Sequence, residues 1–118
     1  MTERRIGLIC RFVFWICAVA VLVLSLAPAT TSVPTTGWDK TNHLAAFACL
    51  AFLACRAYPG HLVAVLMGLL TYGAFIEILQ SFTPDRFAEL GDLLADGVGL
   101  LIGSVLARLS KFRVLTHA

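Results

Sequence analysis

ELGDLLADGVGLLIGSVLARLSKFR, residues 89–113, decides how this chain folds. At about 100° per residue, Glu89, Asp92 and Asp96 fall in one narrow arc, and Gly99 and Gly103 continue that arc below them. Gly99-x-x-x-Gly103, extended by Ala95 and Ala107, is a small-residue stripe of the kind that lets apolar helices approach closely in a membrane. A small-residue stripe faces other helices, so the three acids above it should face the bundle interior. The stretch ends in Arg108, Lys111 and Arg113, which places acid at one end of an apolar helix and base at the other.

The rest of the chain repeats that polarity. The first apolar run, Phe12–Ala27, lies behind Arg4, Arg5 and Arg11 and stops at Pro28; counted from Ile6, with Arg11 snorkelling to headgroups, it is long enough to span. Ala27-Pro28-Ala29 also resembles a signal-peptide cleavage site. A retained helix is the reading adopted, because three more apolar segments follow. Pro28–Trp38 reads as an extended loop. A second helix is expected over about Asp39–Tyr58, ahead of Arg56 and a tight Pro59-Gly60 turn, a third over Leu62–Gln80, and a fourth over Phe87–Leu109 after a turn at Ser81–Asp85. Short connections make helices two to four antiparallel neighbours.

Apolar residues make up 59% of the 118-residue chain and charged residues 14%, against about 45–50% and 25% in soluble domains. The expectation is a single domain, residues 1–118: an all-α integral membrane bundle of four transmembrane helices. Arg4, Arg5, Arg11, Arg56, Arg108, Lys111 and Arg113 mark one face, which the positive-inside bias makes cytoplasmic, together with both termini. Asp39, Glu77, Asp85, Glu89, Asp92 and Asp96 then gather at the extracytoplasmic side. The net charge of +2 reports topology, and no basic aromatic groove suggests nucleic acid as a partner. Cys10, Cys17, Cys49 and Cys55 form no C-x-x-C pair and read as small buried apolar residues.

Polar groups converge from three helices. Asp39, Lys40 and His43 share one side of the second helix; Glu77 and Gln80 lie a turn apart on the third, with Gly73 beneath; Arg86 follows the turn. Asp39 also suits a helix N-cap, Lys40 a headgroup contact and Asp85 a solvated turn. Glu77 inside an apolar run costs roughly 2–3 kcal/mol and needs a partner, for which Arg86 or Lys40 is the obvious candidate. Two cations, Lys40 and Arg86, face six acids there. The remaining carboxylates must bind a cation, meet water or hold protons, which suits a cation-binding or acid–base site.

These residues resemble the VanZ-like family of small bacterial membrane proteins over about Trp38–Gly103. The family's D-K-x-x-H element stands here as Asp39-Lys40-Thr41-Asn42-His43, its E-x-x-Q as Glu77–Gln80, its P-x-R as Pro84-Asp85-Arg86, and its D-x-x-x-N-x-x-G as Asp92–Gly99. Two positions depart: Phe47 stands where the family often has tyrosine, and Asp96 where it usually has asparagine. The resemblance implies a multi-pass protein of the bacterial cytoplasmic (inner) membrane, associated with the cell envelope, whose namesake is tied to teicoplanin resistance.

On this reading the protein binds or modifies an anionic lipid-linked or surface-polymer substrate at the extracytoplasmic leaflet. Glu77, Asp92 and His43 are the candidate catalytic groups; Asp39, Lys40, Gln80, Arg86, Glu89 and Asp96 are the candidate substrate-binding groups. A divalent cation bridging carboxylates and phosphate is the cofactor such a pattern admits. The sequence leaves open whether the protein is an enzyme: no strong nucleophile motif is present, and Ser81 lacks an adjacent base. The alternative is a non-catalytic membrane partner of an envelope enzyme. A third reading is an ion or proton pathway or holin-like oligomer; transport by the monomer, though not by an oligomer, meets the objection that the other halves of the helices offer only Tyr72, Ser104 and cysteines as polar groups.

Overall fold

The computed structural model describes residues 2–26, 39–82 and 90–117, with side chains described for 2–26, 41–82 and 90–110. The described residues form four α-helices: α1 Glu3–Leu26, α2 Asp39–Ala57, α3 Leu62–Gln80 and α4 Leu90–His117. The expected Pro28–Trp38 loop, Asp85 at its turn, and the start of the fourth helix at Phe87 lie outside the described residues.

Three helices are long and apolar enough to cross a membrane: Glu3–Leu26, Leu62–Gln80 and Leu90–Ser110. Their outward faces are apolar, with Phe12 at 69% exposure, Val63 at 75% and Leu94 at 64%. Such surfaces suit lipid rather than water. Helix α2 has a shorter apolar stretch, Thr41–Ala57. Its setting explains the difference: Phe47, Leu50, Ala51, Ala54 and Ala57 are all buried, and no large apolar residue of α2 is exposed. An enclosed helix meets protein on most sides, so small alanines serve it better than large lipid-facing side chains.

The α2–α4 pair is the tightest in the bundle. A Cβ on Gly99 would come within 2.5 Å of the Leu44 carbonyl oxygen, and one on Gly103 would collide with the Ala48 carbonyl and Ala51. The small-residue stripe therefore packs directly on the α2 backbone. Burial follows the helical period along α4 at Asp92, Asp96, Gly99, Leu100, Gly103 and Ala107, and along α3 at Leu69, Gly73, Ile76, Glu77 and Gln80.

Helix α1 lies against α2 and α3. Trp15 donates its indole N–H to the Tyr58 hydroxyl at 3.0 Å, Tyr72 donates its hydroxyl to the Ala18 carbonyl, and Gln80 donates its amide to the Ser25 carbonyl at 2.8 Å. Arg11 is exposed and also finds partners within the protein. It donates to the Ala57 carbonyl at 3.2 Å and lies over the Tyr58 ring at 4.5 Å, because the carbonyls at the end of α2 are unpaired acceptors at the negative end of its dipole. At the same end Arg56 donates to the Ser110 hydroxyl at 2.9 Å and stands 3.9 Å from Glu3. The α2–α3 turn is as expected, with Gly60 at φ +82°.

Two expectations are corrected. Helix α4 continues past Leu109 to His117, since basic residues favour a helix C-terminus rather than end it. The cysteines are free thiols but not fully buried: Cys49 is exposed, and Cys10, Cys17 and Cys55 are half-buried, Cys17 against the core.

Candidate functional site

The polar residues of α2, α3 and α4 meet away from the end that carries Arg56 and Ser110. His43 enters from the first turns of α2, Glu77 from the last turn of α3, and Asp92 and Asp96 from the start of α4. Glu77 and Asp92 are each 7% exposed, Gln80 3%, and Asp96 fully buried.

The His43 imidazole is the hub. Its Nδ1 lies 2.9 Å from Asp96 Oδ1. Its Nε2 lies 3.8 Å from Asp92 Oδ2 and 4.0 Å from Glu77 Oε1. The first distance is a hydrogen bond; the other two exceed hydrogen-bond length. When ionised, Asp96 only accepts, which places the proton on Nδ1; the contact in either case leaves the Nε2 side of the ring towards Glu77 and Asp92.

Backbone geometry makes room for this arrangement. A Cβ on Gly73 would lie 2.6 Å from Asp96 Oδ2 and 3.3 Å from the Phe47 ring, so the carboxylate rests against bare α3 backbone. Asp96 Oδ2 is buried without a hydrogen-bond partner among the described residues. Phe47, one turn below His43, is buried and faces the Tyr72 ring at 6.2 Å between centroids. It closes the cluster with an apolar floor.

Of the sequence candidates, the structure brings His43, Glu77, Asp92 and Asp96 together. Gln80 is buried beside them, with its amide nitrogen turned to α1. The side chains of Asp39 and Lys40, and all of Arg86 and Glu89, lie outside the described residues. Three groups that matter were read differently from the sequence or passed over. His43 stands 4.0 Å from Glu77, a neighbour the sequence reading did not name; Arg86 and the Lys40 side chain, the partners expected for Glu77, lie outside the described residues. Gly73 serves as the seat of Asp96 and not merely as a helix contact. Thr71 adds a further mid-helix hydroxyl, but it donates to its own Met67 carbonyl at 2.8 Å, as Ser104 does to Leu101 at 3.0 Å. Both hydroxyls are used within their own helices.

The family model for VanZ/LLP1 matches residues 11–111. The chain belongs to the VanZ/LLP1 family. The match extends beyond the Trp38–Gly103 core of the resemblance into α1, the helix that Gln80 and Tyr72 tie to α3. No curated protein and no solved structure matches the chain. The family's histidine, E-x-x-Q glutamate and first D-x-x-x-N aspartate thus meet here at one point. The residue at its usual asparagine position, Asp96, supplies the contact that orients the histidine.

Proposed function

We propose that this VanZ-like protein binds or modifies the head group of an anionic lipid-linked or surface-polymer precursor at the extracytoplasmic leaflet of the bacterial cytoplasmic membrane. The observation that carries the reading is the convergence of His43, Glu77 and Asp92, all largely buried, at the end of the bundle away from Arg56 and Ser110. Arg4, Arg5, Arg11, Arg56 and Arg108 belong to the opposite helix ends, and the positive-inside bias makes that end cytoplasmic. Ionisable groups kept within apolar helices are costly to insert, which favours a working role over packing.

In this scheme Lys40 and Arg86, at the same ends of their segments, hold the anionic group, Arg86 by its planar fork. His43, Glu77 and Asp92 position the group or move its protons. Family membership points to glycopeptide susceptibility, teicoplanin in particular, as the phenotype to examine.

The test compares envelope lipids and precursors by mass spectrometry in cells carrying wild type, Asp92→Asn or empty vector, with folded protein matched. A lipid-linked species altered by wild type and not by Asp92→Asn is the expected result. An unaltered lipid profile with well-folded wild type would sink the reading and favour a non-catalytic partner of another envelope enzyme.

A further inference from the structure

We infer that His43, Glu77 and Asp92 form a binding site for one divalent transition-metal ion, zinc above all, with Asp96 as the group that orients the histidine. The inference rests on reading this cluster as the working site, and deepens that reading by naming its ion.

Three donor atoms, one from each residue, lie within 4.8 Å of one another. Zinc binds imidazole nitrogen and carboxylate oxygen at about 2.0–2.2 Å, which puts neighbouring ligands about 3–3.5 Å apart. The observed Nε2 to oxygen separations of 3.8 and 4.0 Å need a closure of about 0.3–1 Å to reach that geometry. They are too long for direct hydrogen bonds, and the spacing of the three donor atoms suits a single ion held between them.

The Asp96 contact points the same way. Histidines that bind metal almost always donate their other ring N–H to a carboxylate or carbonyl, which fixes the tautomer and strengthens the ligating nitrogen. Asp96 Oδ1 takes that position at 2.9 Å from Nδ1, and its side chain is fully buried on Gly73.

One nitrogen and two oxygens favour zinc or manganese over magnesium or calcium, which take all-oxygen sites. Three protein ligands leave a position open, as in catalytic rather than structural zinc sites. An ion there would neutralise the carboxylates and accept a phosphate oxygen, so an acidic cluster could receive an anionic head group.

The experiment uses the purified full chain in detergent, stripped with chelator, then titrated with Zn²⁺, Mn²⁺ or Mg²⁺ and quantified by elemental analysis after dialysis. One Zn²⁺ per chain is expected, bound at least about 100-fold more tightly than Mg²⁺. Glu77→Gln and Asp92→Asn, which keep shape, should each weaken it by about 100-fold, and Asp96→Asn by about 10-fold, the lower end of the range for orienting groups. Co²⁺ substitution gives a second readout: visible bands without an intense thiolate transition place the ion on nitrogen and oxygen, away from the cysteines. Wild type that binds no stoichiometric ion, or Asp92→Asn that binds as wild type, would overturn the site. A lipid change that survives complete metal removal also removes the metal and leaves the substrate reading intact. Stoichiometric zinc lost on Asp92→Asn, with no lipid change, keeps the metal and removes the substrate.

Discussion

Asp96 and His43, on helices α4 and α2, join at 2.9 Å through a carboxylate that is wholly buried. The bond crosses the same interface that Gly99 and Gly103 bring into backbone contact, so closeness of the helices and orientation of the imidazole are one structural fact. An asparagine at 96 presents a carbonyl oxygen of the same reach and can still accept from Nδ1. Asp96→Asn should therefore fold normally, with its unfolding midpoint in detergent close to wild type. Asp96→Leu leaves the imidazole without a partner and should cost about 1–3 kcal/mol. Nitrogen-detected NMR of labelled histidine checks the mechanism: Nδ1 should remain protonated in Asp96→Asn and become a mixture in Asp96→Leu.

Gly73→Ala tests the seat of that carboxylate. The added methyl would stand 2.6 Å from Asp96 Oδ2 and 3.3 Å from Phe47, and a buried side chain hemmed by α2 has little room to yield. The expected loss is about 1–3 kcal/mol, as for other overpacked cores. In an Asp96→Ala background the colliding oxygen is gone, so the same substitution should cost at least 1 kcal/mol less. Equal costs in both backgrounds, measured by denaturant unfolding in mixed micelles, would mean that Gly73 matters for some other reason.

The helices and the inward face of α4 were legible in the sequence because both follow from periodicity: acids at 89, 92 and 96 share an arc with glycines at 99 and 103. Which residue of one helix meets which of another was not. Period fixes direction about a helix axis but leaves open the depth and rotation of its neighbour, so His43 could not be matched to Asp96, nor Gly73 to its carboxylate. The shorter apolar stretch of α2 has its cause in enclosure by the other helices, which is a property of packing.

The α2–α4 stripe offers a prediction with a control on the same helix. Gly99→Ala sets a methyl against the Leu44 carbonyl, and Gly103→Ala sets one against the Ala48 carbonyl; backbone atoms of a packed helix cannot step aside. Each should force the helices apart, destabilise the protein by more than about 1 kcal/mol and loosen the His43–Asp96 bond. Nothing lies within 4 Å of a Cβ at Gly97, so Gly97→Ala should be neutral or stabilise by up to about 1 kcal/mol through helix propensity alone. Thermal unfolding of the three variants side by side decides it. A Gly97→Ala loss as large as the others would show that glycine flexibility, and not close approach, is what the stripe supplies.

Orientation in the membrane is the premise on which an extracytoplasmic site depends, and it can be tested without the site. Basic residues at the start of α1, the end of α2 and the end of α4 should hold those ends in the cytoplasm. A fluorescent protein that matures only in the cytoplasm should therefore glow when fused after residue 118. Alkaline phosphatase, which is active only after export, should be active when inserted between residues 83 and 85 and inactive when fused at residue 60. Reversing Arg4 and Arg5 to glutamate should weaken the bias and yield a mixed population, because cationic residues near the first span carry much of the orientation signal. Phosphatase activity at residue 60 in the unaltered protein would turn the bundle over. It would put His43, Glu77 and Asp92 on the cytoplasmic side, and with them the head group they engage.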